Sequence, residues 1–93
     1  MKYRQVATNR FKRDLRRLAK RGYDFSKLED VVGKLAEDEP LDISHHDHNL
    51  KGEFSGFREC HVDSDWILVY KKEETMLVLM LMRTGTHADI LGI

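Results

Sequence analysis

The hydrophobic periodicity of the chain changes from helical to strand-like near its midpoint, and this change constrains the fold most strongly. In the first 40 residues, apolar side chains recur at helical spacing in two stripes, namely Phe11, Leu15, Leu18 and Ala19, then Phe25, Leu28, Val31, Val32 and Leu35. From Phe57 onward, apolar and polar residues alternate or form short apolar runs, a pattern typical of β-strands. We therefore predict helices in the first half and a sheet in the second.

Capping and turn residues predict where these elements end. Thr8 is suited to the N-cap of the first helix and Gly22 to its end, while Asp24 can cap the second helix and Pro40 stops it. Residues 41–50 have no periodicity and are predicted to form a loop. The predicted strands are 3–7, 57–62, 66–71 and 76–82, with turns at 63–64 and 71–74.

These elements predict a single α+β domain spanning residues 1–93, in the order β-α-α-β-β-β. The short link between the helices indicates an antiparallel helical hairpin, and the tight turns indicate an antiparallel β-sheet. The hairpin, with the N-terminal strand, is expected to pack on the sheet. The residues interpreted as core are Trp66, Met76, Met80 and Met82.

A single cysteine, Cys60, excludes an internal disulfide bond and indicates a reducing compartment. It lies in an alternating segment, so we interpret it as a small core residue rather than a nucleophile. The first residues carry charge without an apolar run, and the longest apolar stretch, 76–82, is too short to span a bilayer. We therefore expect a cytoplasmic protein with no membrane segment.

Opposite charges are segregated along the chain, although its net charge is zero. Residues 1–27 hold ten Lys or Arg against two Asp or Glu, whereas residues 28–65 hold three against eleven. A basic first helix can follow a phosphate backbone. Alternatively, it is a solvated helix face that improves solubility, and the charge pattern alone leaves both interpretations open.

Five histidines, all at or after position 45, can bring proton-transfer chemistry to the chain. His61 lies on a predicted strand, Asp65 at the turn after it, Arg83 and His87 after the last apolar strand, and His48 in the preceding loop. In an antiparallel meander these positions can meet at one edge. Imidazole transfers protons near neutral pH, a carboxylate orients it, and a guanidinium binds phosphate. This set suits RNA cleavage by the 2′-hydroxyl, which requires no metal or other cofactor.

Other interpretations of these residues stay open at this point. His61 can be a structural residue, Asp65 a turn cap, and Arg83 the partner of an acidic neighbour. A metal site in the loop is a further alternative, built from two or three of His45, His46, Asp47 and His48 with help from elsewhere in the chain.

Three segments of the second half resemble the YafQ branch of the RelE/ParE toxin superfamily. They are H-N-L-x-G at 48–52, G-F-R-E-x-H-V-x-x-D-W-I-L-x-Y at 56–70 and R-T-G-T-H at 83–87. Their order and spacing agree with the branch throughout residues 48–91, and the N-terminal strand and helical hairpin agree in layout. The resemblance therefore covers essentially the whole chain and implies a RelE-like α+β fold.

The resemblance also implies a function, that of a type II toxin–antitoxin toxin that cuts messenger RNA on the ribosome without a metal. Its partners would be the ribosome with its message, a cognate antitoxin, and operator DNA only through the antitoxin complex. The implied catalytic residues are His48, His61, Asp65 and His87, the last as general acid. The implied substrate contacts are Glu59, Arg83 and Leu91.

Two departures from the family pattern keep a second hypothesis open. Glu59 stands where the best-known member has aspartate, and Leu91 replaces an aromatic residue that can stack on a base. The chain is therefore either an active endoribonuclease or a toxin-fold binding module that serves as antitoxin partner and operator co-repressor.

Overall fold

A five-stranded sheet with two helices packed on it forms the framework of the protein, whose computed structural model describes residues 2–92. In chain order the elements are β1 (Arg4–Ala7), α1 (Asn9–Lys20), α2 (Ser26–Ala36), β2 (His48–Asn49), β3 (Arg58–Asp63), β4 (Trp66–Glu73), β5 (Val78–Gly85) and α3 (His87–Leu91). Two 3₁₀ turns, Ile43–His45 and Gly52–Phe54, lie on either side of β2. The predicted α+β class is confirmed, with β2 and α3 as additional elements.

The strands are arranged in the order β1-β5-β4-β3-β2. Strands β3 to β5 pair antiparallel, as the tight turns predicted, and the additional strand β2 pairs antiparallel to β3. Strand β1 instead pairs parallel to β5, with Arg4 aligned to Val78. A parallel pair needs a long crossover connection, and the chain from α1 to β4 provides it here.

Helix α1 begins and ends as predicted. The Thr8 side chain accepts a hydrogen bond from the Phe11 amide at 3.0 Å, and both Phe11 and Leu18 are buried. After the helix, Gly22 adopts a φ of +81°, a left-handed conformation that glycine adopts without strain.

Helix α2 is shifted slightly from its predicted start. The Asp24 carboxylate accepts a hydrogen bond from the Ser26 amide at 3.0 Å, but the N-cap residue is Phe25. The helix ends at Ala36, before Pro40 is reached. Within residues 2–92, no helix has the length and apolar character needed to cross a membrane.

The two faces of the sheet differ in character. The side chains that pack against the helices are Cys60, Val62, Trp66, Leu68, Tyr70, Leu79 and Leu81. Strand alternation sends Glu59 and His61 to the opposite face, beside Val69 and Ile67 in the register. Cys60 is fully buried, which raises the pKa of its thiol to about 12, so its prediction as a core residue is confirmed.

Three local predictions are wrong. The predicted loop 41–50 contains a 3₁₀ turn and the short strand β2. Strand β4 continues to Glu73, so the hairpin turn falls on residues 74–77 and β5 begins only at Val78. Met76 therefore lies in the turn and is 70% exposed instead of filling the core.

Candidate active site

Three elements that carry predicted site residues meet at one end of the strands of the sheet. His61 lies on β3, Asp65 lies in the turn between β3 and β4, and His87 is the first residue of α3. Ile67 of β4 aligns with His61 on one side and with Gly85 on the other. The end of β5 is therefore held close to the β3–β4 turn, which brings the three elements to one place.

The junction between β5 and α3 is held in a defined conformation. Thr86 caps α3 in a capping box with Asp89, and Arg21 at the end of α1 donates two hydrogen bonds to Asp89 at 2.8 and 3.1 Å. Gly85 adopts a φ of +151°, which other residues rarely adopt, and a Cβ atom there would lie only 3.0 Å from the Asp89 carboxylate, so glycine favours this close approach. These contacts fix the position at which His87 enters the site.

Five of the seven predicted site residues meet in one cluster. The Nδ1 atom of His87 lies 2.7 Å from Asp65 Oδ1, and its Nε2 atom lies 3.7 Å from Glu59 Oε1. The His48 Nε2 atom lies 2.9 Å from Glu59 Oε2. The rings of His61 and His87 are 5.3 Å apart between centroids.

The ring of His48 lies between a backbone carbonyl oxygen and the carboxylate of Glu59. Its Nδ1 atom lies 2.6 Å from the His46 carbonyl oxygen, which only accepts, so Nδ1 donates there. In a neutral imidazole Nε2 then carries a lone pair, yet it faces a carboxylate oxygen. The contact becomes an ion pair when Nε2 also carries a proton.

His87 is oriented by the carboxylate of Asp65. Hydrogen bonds from the His87 side chain and then from its backbone amide lower the pKa of Asp65. The ionised Asp65 only accepts, so Nδ1 of His87 carries a proton and Nε2 points towards Glu59. Among residues 2–92, the buried Glu59 Oε1 atom accepts no hydrogen bond.

Burial lowers the pKa of His61. The Glu59 carboxylate opposes this shift, and the remaining contributions that lower the pKa come from His87, His46 and His48. His61 therefore stays neutral to lower pH than an exposed histidine does. A neutral imidazole that lies beside a second imidazole flanked by carboxylates, as His61 lies beside His87, is suited to paired proton transfer.

Two loop histidines also reach this cluster, although the sequence did not assign them to it. The His46 ring lies 5.3 Å from the His61 ring, and His45 Nδ1 lies 2.6 Å from the His61 carbonyl oxygen. His46 adopts a left-handed φ of +48°, which turns the chain towards the sheet. Their position beside His48 in a histidine-rich loop was the only available signal.

Three side chains of the cluster could hold a metal ion. Glu59, His61 and His87 each offer one ligand atom, and these atoms lie within 4.8 Å of one another. Two imidazoles and one carboxylate suit zinc or copper. Among residues 2–92, the alternative site in the loop is not formed, because the ligand atoms that lie close enough together are those of Glu59, His61 and His87.

Arg83 pairs with Asp14 rather than with the cluster, and its role as a phosphate contact stays a prediction. Its Nε and Nη2 atoms donate to Asp14 of α1 at 2.8 and 3.2 Å, and only 8% of its side chain is exposed. This is the alternative in which Arg83 pairs with an acidic neighbour. The sequence signal for this pair was that Asp14 is the single acidic residue of the basic helix α1.

Trp66 and Leu91 have different positions relative to the cluster. Trp66 is 4% exposed, donates to Thr84 Oγ1 at 2.8 Å and packs edge-on against Tyr23, so its prediction as a core residue is confirmed. Leu91 ends α3 one turn after His87 and is 37% exposed. It shares a helix face with His87, and its contact with a substrate stays a prediction.

Comparison with known proteins identifies the family. A family model described as bacterial toxin of type II toxin–antitoxin system, YafQ, matches residues 3–92. The mRNA interferase toxin YafQ of Escherichia coli K12 is 36% identical over 86 residues, which are 91% of each chain. Two solved structures have a TM-score of 0.88, and each match covers 97% of this chain and 99% of the other. They are the E. coli DinJ–YafQ complex at 34% identity and a metal-bound toxin from Helicobacter pylori at 39%. The chain therefore belongs to the YafQ family of bacterial toxins of type II toxin–antitoxin systems.

Proposed function

We propose that this protein is an endoribonuclease that cleaves messenger RNA as the toxin of a type II toxin–antitoxin system. The observation that carries the proposal is the cluster of His48, Glu59, His61, Asp65 and His87 in a chain of the YafQ family. The E. coli relative bears the name mRNA interferase toxin. The cluster contains the acid, the base and the orienting carboxylates that metal-free RNA cleavage needs.

In the proposed reaction the RNA cuts itself with help from two imidazoles. The 2′-hydroxyl oxygen attacks the adjacent phosphorus while His61 takes the hydroxyl proton. The bond from phosphorus to the 5′-oxygen breaks, and His87 gives that oxygen its proton. The products are a 2′,3′-cyclic phosphate and a free 5′-hydroxyl, so one proton is taken and one is returned. Burial of His61 supports its role, because only the neutral ring can accept the proton.

The carboxylates around His87 support its role as the acid. Asp65 holds Nδ1 at 2.7 Å, and Glu59 lies on the Nε2 side at 3.7 Å. The contact with Asp65 fixes the ring and leaves Nε2 as the atom that can carry the proton a general acid donates. Nε2 is then the atom that delivers the proton to the leaving oxygen.

Glu59 and His48 are proposed to hold the reacting nucleotide. The buried Glu59 Oε1 atom lacks a donor among the described residues, and an unpaired buried acceptor costs about 1–3 kcal/mol. A donor group of the bound RNA other than the attacking 2′-hydroxyl, whose proton goes to His61, can supply that hydrogen bond. When its ring is protonated, His48, whose Nε2 atom lies 2.9 Å from Glu59, can offer positive charge to the phosphate.

The proposed partners are the ribosome carrying a message, a cognate antitoxin, and operator DNA reached only through the antitoxin complex, all in the cytoplasm. The DinJ–YafQ complex supports an antitoxin partner, since DinJ is bound to a 34% identical chain. Exposed basic side chains on α1 can follow RNA phosphates on the ribosome. These are Arg10, Lys12, Arg13, Arg16 and Lys20.

The test adds the purified protein to ribosomes translating a defined message and maps cleavage by primer extension. We expect His87→Gln to reduce the cleavage rate by about 10²- to 10⁴-fold, the usual contribution of a general acid or base. Glu59→Gln should also lose activity, because it removes the charge that faces two imidazoles. Glu53→Gln, at an exposed glutamate outside the cluster, is the matched control.

Two results would contradict the proposal. One is an intact message at saturating protein, on ribosomes that a known mRNA interferase cuts. The other is normal cleavage by a folded His87→Gln protein. The binding-module alternative would then apply, and it predicts antitoxin binding together with normal growth on induction of the wild-type chain.

A further inference from the structure

Two cavities lie on either side of the turn between β3 and β4, and both open beside the catalytic cluster. The first, which we call the aromatic cavity, has a volume of about 270 Å³ and is lined by Tyr23, Lys27, Asp63, Asp65, Trp66 and Thr86, among others. The second has a volume of about 370 Å³ and is lined by Ser44, His45, His46 and His61. The turn residues Asp63 and Ser64 form the wall between them.

The two cavities are related differently to the proposed base and acid. His61 lines the second cavity, whereas the aromatic cavity is lined by Asp65, which orients His87, and by Thr86, which precedes His87. A phosphodiester held between His61 and His87 has one nucleotide on each side. The nucleotide that provides the 2′-hydroxyl lies on the His61 side, and the leaving nucleotide lies on the His87 side.

The aromatic cavity has the size and composition for one nucleobase. Its volume is just below the roughly 300–1,000 Å³ of pockets that take drug-sized ligands. Tyr23 is partly exposed and stands edge-on to Trp66 at 5.0 Å, so the Trp66 indole fixes the Tyr23 ring in place. A pre-oriented aromatic ring is the usual platform for stacking a base.

The rim of the aromatic cavity carries a charge pair that an RNA strand can open. Lys27 donates to Asp63 at 2.6 Å, and both side chains are about half exposed, at 55% and 51%. Exposed pairs of this kind contribute little stability. A phosphate beside the stacked base can therefore take the Lys27 ammonium group from Asp63 at small cost.

We propose that the aromatic cavity binds the base of the nucleotide that carries the leaving 5′-oxygen, with Tyr23 as the stacking platform and Lys27 as the contact for the following phosphate. The inference rests on the proposed function, because the assignment of His61 and His87 decides which nucleotide faces this cavity. Tyr23 is then a specificity-determining residue for the base immediately 3′ of the cleaved bond.

The test compares Tyr23→Leu and Tyr23→Phe with Phe25→Leu as the matched control. Phe25 also packs against Trp66, at 6.3 Å, but it does not line the aromatic cavity. Substrates are messages on ribosomes with an abasic nucleotide placed either 3′ or 5′ of the cleaved bond. Binding is read independently of cleavage from the fluorescence of Trp66, the single tryptophan, with a short RNA that carries a 2′-deoxy substitution at the cleavage position.

We expect Tyr23→Leu to raise KM by roughly 5- to 150-fold with a smaller effect on kcat, the loss expected for one base–aromatic stack. The 3′ abasic message should penalise the wild type and Tyr23→Phe but not Tyr23→Leu. Phe25→Leu should behave as the wild type in both assays. Quenching of Trp66 by the short RNA should disappear when its 3′ base is missing.

Two outcomes would overturn the inference while leaving the proposed function intact. In one, Tyr23→Leu keeps the full penalty for the 3′ abasic nucleotide. In the other, the penalty that depends on Tyr23 belongs to the 5′ nucleotide. If the proposed function fails, no message is cut. Quenching of Trp66 fluorescence that depends on Tyr23 and on the 3′ base would in that case still support base binding in this cavity.

Discussion

Replacing Asp14 by alanine should destabilise the fold severely, because this buried carboxylate joins α1 to the end of β5. It accepts hydrogen bonds from Arg83 Nε at 2.8 Å and Nη2 at 3.2 Å, from the Thr84 amide at 3.0 Å and from Arg17 Nη2 at 2.8 Å. Asp14 is 4% exposed and Arg83 is 7% exposed. Water therefore has little access to this pair and cannot replace the hydrogen bonds of a partner that is removed.

The magnitude follows from the charge that the substitution leaves behind. Asp14→Ala keeps the Arg83 guanidinium buried without its carboxylate, and breaking such a pair from one side costs about 3–5 kcal/mol. A domain of this size has a free energy of unfolding of about 5–15 kcal/mol. At about 4–8 °C of Tm per kcal/mol, the melting temperature should fall by roughly 12–40 °C.

The assay is urea unfolding followed by Trp66 fluorescence, with thermal unfolding by circular dichroism as the second measurement. The double variant Asp14→Leu/Arg83→Met removes both charges and should recover most of the loss, since apolar replacement of a whole buried pair is often neutral. Asp30→Ala, at an exposed aspartate on α2, is the control for loss of one negative charge. A loss below about 1 kcal/mol in Asp14→Ala, or a double variant as unstable as the single one, would refute the reasoning.

Three further predictions follow from the ionisable groups. The Cys60 thiol should not react with a thiol reagent at pH 8 until the protein unfolds. Its pKa of about 12 leaves a thiolate fraction of roughly one in 10⁴ at that pH. Rapid labelling of the native protein would contradict this prediction. Hydrogen bonds from two lysines lower the pKa of Asp38 to about 2. Its stabilising contribution is therefore present above about pH 4 and is lost as the pH falls towards 2, so the stability gap between wild type and Asp38→Asn in urea titrations should close over that range. Asp65→Asn should cut messages at least tenfold more slowly with little change in Tm, because its side chain is 64% exposed and acts on the proposed acid; Asp30→Asn is the control, and an unchanged cleavage rate would count against the assignment.

Local patterns predicted the elements well because local interactions form them. The helical stripe around Phe11 and Leu18 is buried as expected, and the alternation on β3 correctly separates Cys60 from His61. These predictions need only the period of each element. The approach of His61 and His87 also followed, since an antiparallel meander brings the end of β3 close to the end of β5.

The missed features depend on pairings between distant residues. No local pattern marks β1 as the parallel neighbour of β5, because strand partners are chosen by the packing of the whole sheet. The side chain of Arg83 pairs with that of Asp14, which is 69 residues away in sequence. The sequence showed that α1 is strongly basic. It did not show that the side chain of Asp14, the one acidic residue of α1, is buried.

The parallel pairing of β1 with β5 sets an order for how the molecule is made. A chain synthesised from its N-terminus produces β1 first, and β1 cannot enter the sheet until Val78 and the residues after it have emerged. Contacts between such distant segments slow folding. The growing chain therefore has no assembled cleft until β5 has emerged, and His87 joins the other imidazoles only in the last step.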